Sequence, residues 1–239
     1  MTYPIELIAQ GIKRFIAIFF FVLLWYAISQ SSDMNIDMQN IVAYYLISSG
    51  VNELIGARYG DLGRLLGKEM IKNGDINNLL IKPLNIIPFV YAQSIGRVGV
   101  RMIISLISII AGLAISKDIV LFGIFSGILF TLIATVTATS INVMESMLFI
   151  YIRDAEGFRS SINHFKSLLS GIYIPLSYFP QALRSVVELS PFAVMVYVPT
   201  LAFKFKEFNS DFFKYLGFSM LWAIVTLILS ILLWKISRK

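Results

Sequence analysis

The sequence predicts an all-α integral membrane protein with six transmembrane helices, the fifth of them short and broken. Three observations predict it. Hydrophobic residues fill 57% of 239 positions and charged residues only 14%, where soluble domains carry roughly 25% charge. Apolar runs near the ~20 residues that cross a bilayer recur along the chain. Lysines and arginines gather in alternate loops, the mark of a cytoplasmic face. The mean hydropathy of +0.78 agrees, and no stretch is polar enough for a separate soluble domain, so residues 1–239 read as one membrane domain.

The first run, 12–29, is entered through Lys13 and Arg14. No small-residue cleavage site follows cleanly and more spans come after, which predicts a retained helix rather than a signal peptide. Residues 40–57 make the second span. The third lies within 86–115, with Arg97 and Arg101 on its early turns. The run 119–151 is too long for a simple crossing, so it tilts or projects as far as Arg153. Within it Gly123 and Gly127, then Ala134 and Ala138, repeat the small-xxx-small spacing that lets backbones approach. Thr131, Thr135, Thr137, Thr139 and Ser140 either bond back to their helix, the more ordinary role, or line a substrate path. The fifth run, 165–179, contains Pro175 and meets Pro180. Each proline removes a hydrogen bond and clashes with the preceding turn. In hydrocarbon a broken helix survives only under cover of protein or water. Residues 212–234 form a full sixth span.

Orientation follows from the loops. Lys13, Arg14, Arg58, Arg64, Lys68, Lys72, Lys82, Arg153, Arg159, Lys166, Lys235, Arg238 and Lys239 fall on one side. Lys117, Arg184, Lys204, Lys206 and Lys214 fall on the other. Both termini are therefore expected in the cytoplasm. The net charge of +6 reflects that bias and calls for no nucleic acid.

Most catalytic readings fail by inventory. There is no cysteine, and His164 is the only histidine, so neither a thiolate nor a two-imidazole metal site is expected. "GRLLGKEM" at 63–70 imitates a phosphate loop, but it has three residues between its glycines instead of four and Glu69 after Lys68. The intramembrane polar residues are the candidates that remain. Asn52 and Glu53 lie late in the second span, Asn142 and Glu145 late in the fourth. Structural pairing with Arg97 or Arg101 is the plainer role; proton or cation binding is the sharper one.

The longest cytoplasmic piece is "DLGRLLGKEMIKNGDINNLLIKPLN" at 61–85. Leu62, Leu65, Leu66 and Met70 form an apolar stripe at helical spacing. Gly74 is a helix stop and Asp75 a cap for a second short helix. There Ile76, Leu79 and Leu80 repeat the spacing, and Lys82 precedes the terminating Pro83. Such a segment rests on lipid headgroups or fills a groove on a cytoplasmic partner.

"GDINNLLIKPLN" resembles a stretch of ABC-2 type transporter permeases, and in particular of a subfamily of short six-span permeases. "LLSGIYIPLSYFPQALRSVVELSPF" at 168–192 is similar to that family's Gly-x-x-Ile-Pro-Leu-x-x-Phe-Pro segment followed by Pro-Phe, and "VPTLAF" follows it. The likeness covers nearly the whole chain in order and spacing. Members usually begin with a longer cytoplasmic amphipathic helix; about eleven residues precede the first span here, so that helix is abbreviated or fused to the span.

The resemblance implies the membrane subunit of an ATP-driven exporter. It implies a coupling helix in 61–83 and, after the fifth span, re-entrant outer-leaflet helices that shield an exit. Gly171, Pro175, Pro180, Pro191 and Phe192 would build that outer gate, with Arg184 and Glu188 paired at i, i+4. The partners implied are two ATP-binding cassette subunits, a second identical or homologous permease, and membrane lipid. ATP and Mg would sit on the partner subunit, with no cofactor or catalytic site in this chain. A bacterial cell membrane is the expected location, and an amphipathic or lipid-like cargo (drug, peptide or glycolipid) the expected substrate. The alternatives are a proton-coupled secondary transporter using Glu53 or Glu145, and a non-transporting immunity or scaffold protein.

Overall fold

Short polar side chains mark where helices begin. Asp37 Oδ1 accepts from the backbone N–H of Gln39 at 3.0 Å, and Asn209 Oδ1 accepts from that of Phe212 at 2.8 Å. Each satisfies an otherwise orphaned donor of a first turn. The protein is seen in a computed structural model that describes residues 4–31, 36–64, 99–116, 120–147, 152 and 155–237. The helices are α1 (Pro4–Ser31), α2 (Met38–Arg64), α3 (Gly99–Ile115), α4 (Leu121–Ser146) and α5 (Ala155–Leu169). A 3-10 turn (Leu176–Tyr178) then leads to short α6 (Gln181–Val187), α7 (Pro191–Met195) and α8 (Tyr197–Ala202), and to long α9 (Ser210–Ser237). No strand occurs among the described residues.

Among the described residues, three helical stretches are long and apolar enough to cross a membrane: Gly11–Ser31, Leu121–Ser146 and Ser210–Ile236. Met102–Ile115 is apolar but shorter. Helix α2 is long enough, but Asn52, Glu53, Arg58, Asp61 and Arg64 make its second half polar. The first apolar run is continuous with the residues before it, because α1 already begins at Pro4. Within the fourth run, helix α4 ends at Ser146, where Met147 enters a turn. Arg97 and the coupling positions Leu65, Leu66, Met70, Gly74, Asp75, Ile76, Leu79, Leu80, Lys82 and Pro83 lie outside the described residues; Leu62 sits on the last turn of α2.

The fifth run departs most from expectation. Its helix is Ala155–Leu169, shifted toward the polar loop, and residues 170–175 are non-helical. The stop comes before either proline. Gly171 has φ of +82°; its N–H reaches the Leu168 carbonyl at 3.3 Å and the Ile172 N–H reaches Ser167 at 3.2 Å. This is a Schellman cap, which needs a left-handed residue where glycine alone has no Cβ penalty. Pro175 and Pro180 act later, as the extended residues that precede the 3-10 turn and α6.

Close approach holds the bundle together, since lipid is as apolar as the helices and packing must supply the attraction. A Cβ on Gly127 would overlap the Phe203 ring, and one on Gly123 the Phe203 carbonyl. Ala134 and Ala138 pack with Ile47, Val51 and Ile55 of α2. Both small-residue pairs therefore serve helix contact. The hydroxyls of Thr131, Thr135, Thr139 and Ser140 bond back to carbonyls of α4 at 2.6–2.8 Å, the more ordinary of the two expected roles. At the other core, Phe130 and Phe208 meet Phe212 edge to face at 5.6 and 5.1 Å, a favoured ring geometry.

Candidate functional site

Residues 170–175 leave backbone groups without helical partners inside the bundle, where each would be costly. Helix α2 supplies the remedy from adjacent positions. The Tyr44 hydroxyl donates to the Gly171 carbonyl at 2.7 Å, and the Tyr45 hydroxyl donates to that of Tyr173 at 2.8 Å. Trp25 Nε1 of α1 in turn donates to the Tyr45 oxygen at 2.7 Å. Phe21 stacks on Tyr45 with centroids 5.1 Å apart, and Trp25 packs on Tyr178 at 4.3 Å. The break is thus a built feature held by α1 and α2.

The short helices that follow are pinned as firmly. The Ser190 hydroxyl accepts from the Ala193 N–H at 3.3 Å with Pro191 as first helical residue, a cap-and-proline start. Arg184 Nε lies 2.8 Å from Glu188 Oε1, as its i, i+4 spacing predicts, and the Tyr197 hydroxyl donates to the same oxygen at 3.2 Å. Trp222 Nε1 of α9 donates to the Leu189 carbonyl at 2.8 Å. Pro175 is buried, Phe192 half-buried and Pro180 exposed.

Both predicted intramembrane glutamates find cationic partners, and the expected partners, Arg97 and the Arg101 side chain, lie outside the described residues. Arg14 Nη2 of α1 lies 2.8 Å from Glu53 Oε2. Lys166 Nζ lies 2.7 Å from Glu145 Oε1 and 2.9 Å from Oε2, and 3.4 Å from Asn142 Oδ1. Lys166 and Glu145 are each only 8% exposed. A buried charge persists only when paired and hydrogen-bonded. Counting Lys166 and Arg14 among loop cations missed this, because hydropathy windows read a lysine at a span edge as a boundary. His164 is exposed, with Nδ1 3.1 Å from the Tyr173 hydroxyl.

Asn52 and Asn142, from two different helices, come together on one cavity of about 220 Å³. Lys166, Asn163, Ser167 and Ser170 complete its polar wall, and Ile55, Ile172, Met195 and Val196 its apolar one. The cavity therefore joins the ion pair of α4 and α5 to the broken segment and the short helices. Trp25, Tyr44, Tyr45, Asn163 and Lys166 are site residues that the sequence reading missed. Their signal was available: a phenol or indole in mid-span needs a partner for its polar atom.

Comparison with curated proteins finds no match. A family described as ABC-2 family transporter protein matches residues 11–239. With membrane-length apolar helices among its described residues and a match over nearly its whole length, the chain belongs to the ABC-2 transporter family as a membrane permease of an ABC transporter.

Proposed function

We propose that this chain is the membrane half of an exporter, moving an amphipathic or lipid-like molecule out of a bacterial cytoplasm. The family match over residues 11–239 carries the reading. Two ATP-binding subunits supply the nucleotide chemistry with ATP and Mg, and a second identical or homologous permease supplies the other half of the path. This chain makes and breaks no bonds.

Six spans with both termini cytoplasmic accord with the helix ends. Gln39 at the start of α2 donates to Ile115 at the end of α3 at 2.7 Å, and Lys204 donates to Asn40 at 3.3 Å, so these predicted outer ends share one side. The cap at Gly171 and the succession of short helices over 176–202 support a re-entrant outer gate. Both glutamates already face a cation within 2.8 Å, which argues against a free carrier carboxylate and against the secondary-transporter alternative.

Coupling is assigned to residues 61–83, the long cytoplasmic segment with an apolar stripe. Truncated anchors in such grooves commonly cost about 2 kcal/mol or more. Leu79→Glu is expected to abolish co-purification with the ATP-binding subunit while the permease still inserts. An intact complex would place the stripe on lipid and remove the coupling assignment.

A further inference from the structure

The cavity between α2, α4 and α5 has a chemistry that selects one kind of guest. Its charges are already spent. An ammonium has three donors and no acceptor, and Lys166 has three oxygens around it: both of Glu145 and Oδ1 of Asn142. An anion would have to displace Glu145, and a cation would sit against the ammonium. Its amides are not spent. The Asn52 and Asn163 side chains line the cavity with no hydrogen-bond partner among the described residues, and the Asn142 amide nitrogen has none there either. The Ser167 and Ser170 hydroxyls donate to helix carbonyls at 2.9 and 3.2 Å, which leaves their oxygens free to accept. These amides are half-buried, and unpaired polar groups lining a cavity take their partners from water or a ligand.

We infer that this cavity receives the uncharged, hydrogen-bonding head of an amphipathic molecule, one bearing hydroxyl or amide groups that both donate and accept. The inference rests on the permease reading and narrows its cargo class. At about 220 Å³ the space is below the usual 300–1,000 Å³ of a drug-sized pocket, so it takes a head group and not a whole drug. The apolar wall of Ile55, Ile172, Met195 and Val196 covers the adjoining carbons. Because Met195 and Val196 belong to the end of α7 and the residue after it, an occupant touches the short helices directly.

The cysteine-free chain offers a clean test. Ser167→Cys, in the full permease with its ATP-binding subunit in lipid nanodiscs, is treated with the small neutral reagent methyl methanethiosulfonate. The probes are hexyl glucoside, hexyl sulfate and hexyltrimethylammonium, which share a tail and differ in head. Hexyl glucoside is expected to slow modification by about fivefold or more, with the two ions changing it by less than about twofold. Adding Asn52→Ala or Asn163→Ala is expected to raise the glucoside concentration for half-protection by roughly 3- to 10-fold, the worth of one neutral hydrogen bond. Equal protection by all three probes would mean that only the tail binds, and would overturn the inference. So would a reactive thiol that the glucoside leaves unprotected, the mark of a cavity for water alone, or a thiol that no reagent reaches. Retention of the ATP-binding subunit is scored separately. Its loss with glucoside protection intact would support the head-group site while removing the permease reading.

Discussion

The two halves of α2 meet the same difficulty, polar groups inside an apolar bundle, with different chemistry. Near its start, Tyr44 and Tyr45 use neutral hydroxyls to close the carbonyls of Gly171 and Tyr173. Nearer its end, Asn52 and Glu53 stand in a region of full charges, with Glu53 on Arg14 and Lys166 on Glu145 nearby. The phenols each close one carbonyl of the broken segment. The charges pair with each other and leave the amides around them unfilled. One half anchors a broken backbone; the other keeps room for a guest.

The largest break in this comparison should come from separating buried charges. Lys166→Met alone leaves Glu145 buried without its cation and is expected to cost about 3–5 kcal/mol. The double change Lys166→Met with Glu145→Leu should recover most of that loss, because no charge is then stranded. Thermal denaturation of the purified protein in one detergent decides it. Equal losses in the single and double variants would show that the pair's geometry, and not its charge, holds α4 to α5.

A neutral anchor should matter less. Tyr45→Phe keeps the ring stack on Phe21 but strips the Tyr173 carbonyl of its donor and Trp25 of its acceptor. The expected loss is about 1–3 kcal/mol, read by the same denaturation. Hydrogen exchange at residues 170–178 should rise as well. Unchanged exchange there would mean that the phenols do not hold the break.

The smallest effect sharpens the contrast by exposure. Arg184 pairs with Glu188 as closely as Lys166 does with Glu145, yet its side chain is 41% exposed. Pairs of that kind contribute about 1 kcal/mol or less. Arg184→Gln should shift the denaturation midpoint far less than Lys166→Met; a comparable shift would point to a role for Glu188 through Tyr197 instead.

Much of the fold was legible because membrane-length apolar runs leave few arrangements for the backbone. The runs now seen as α1, α4 and α9, the packing of Gly123, Gly127, Ala134 and Ala138, and the Arg184–Glu188 pair all followed from spacing. The reading erred where one residue had to be weighed against another far away. It assigned the break to Pro175, a residue that forbids helix, when Gly171 ends the helix four residues earlier by adopting a conformation no pattern requires. It offered Arg97 and Arg101, whose side chains lie outside the described residues, as partners for the glutamates by their depth, and did not foresee Arg14 and Lys166.

Composition and local spacing determined by themselves that this chain spans a membrane, where most of its helices run and which polar residues were worth suspecting. These follow from the high cost of unpaired backbone and charge in hydrocarbon, a cost that each segment bears alone. Tertiary structure alone decided that Asn52, Asn142, Asn163 and Lys166 share one cavity and that Tyr44 and Tyr45 close the break after α5. A hydrogen bond depends on the last ångström of approach between two helices. That distance is set by how Gly127 meets Phe203 and how Ala134 and Ala138 meet α2, contacts that no single segment contains.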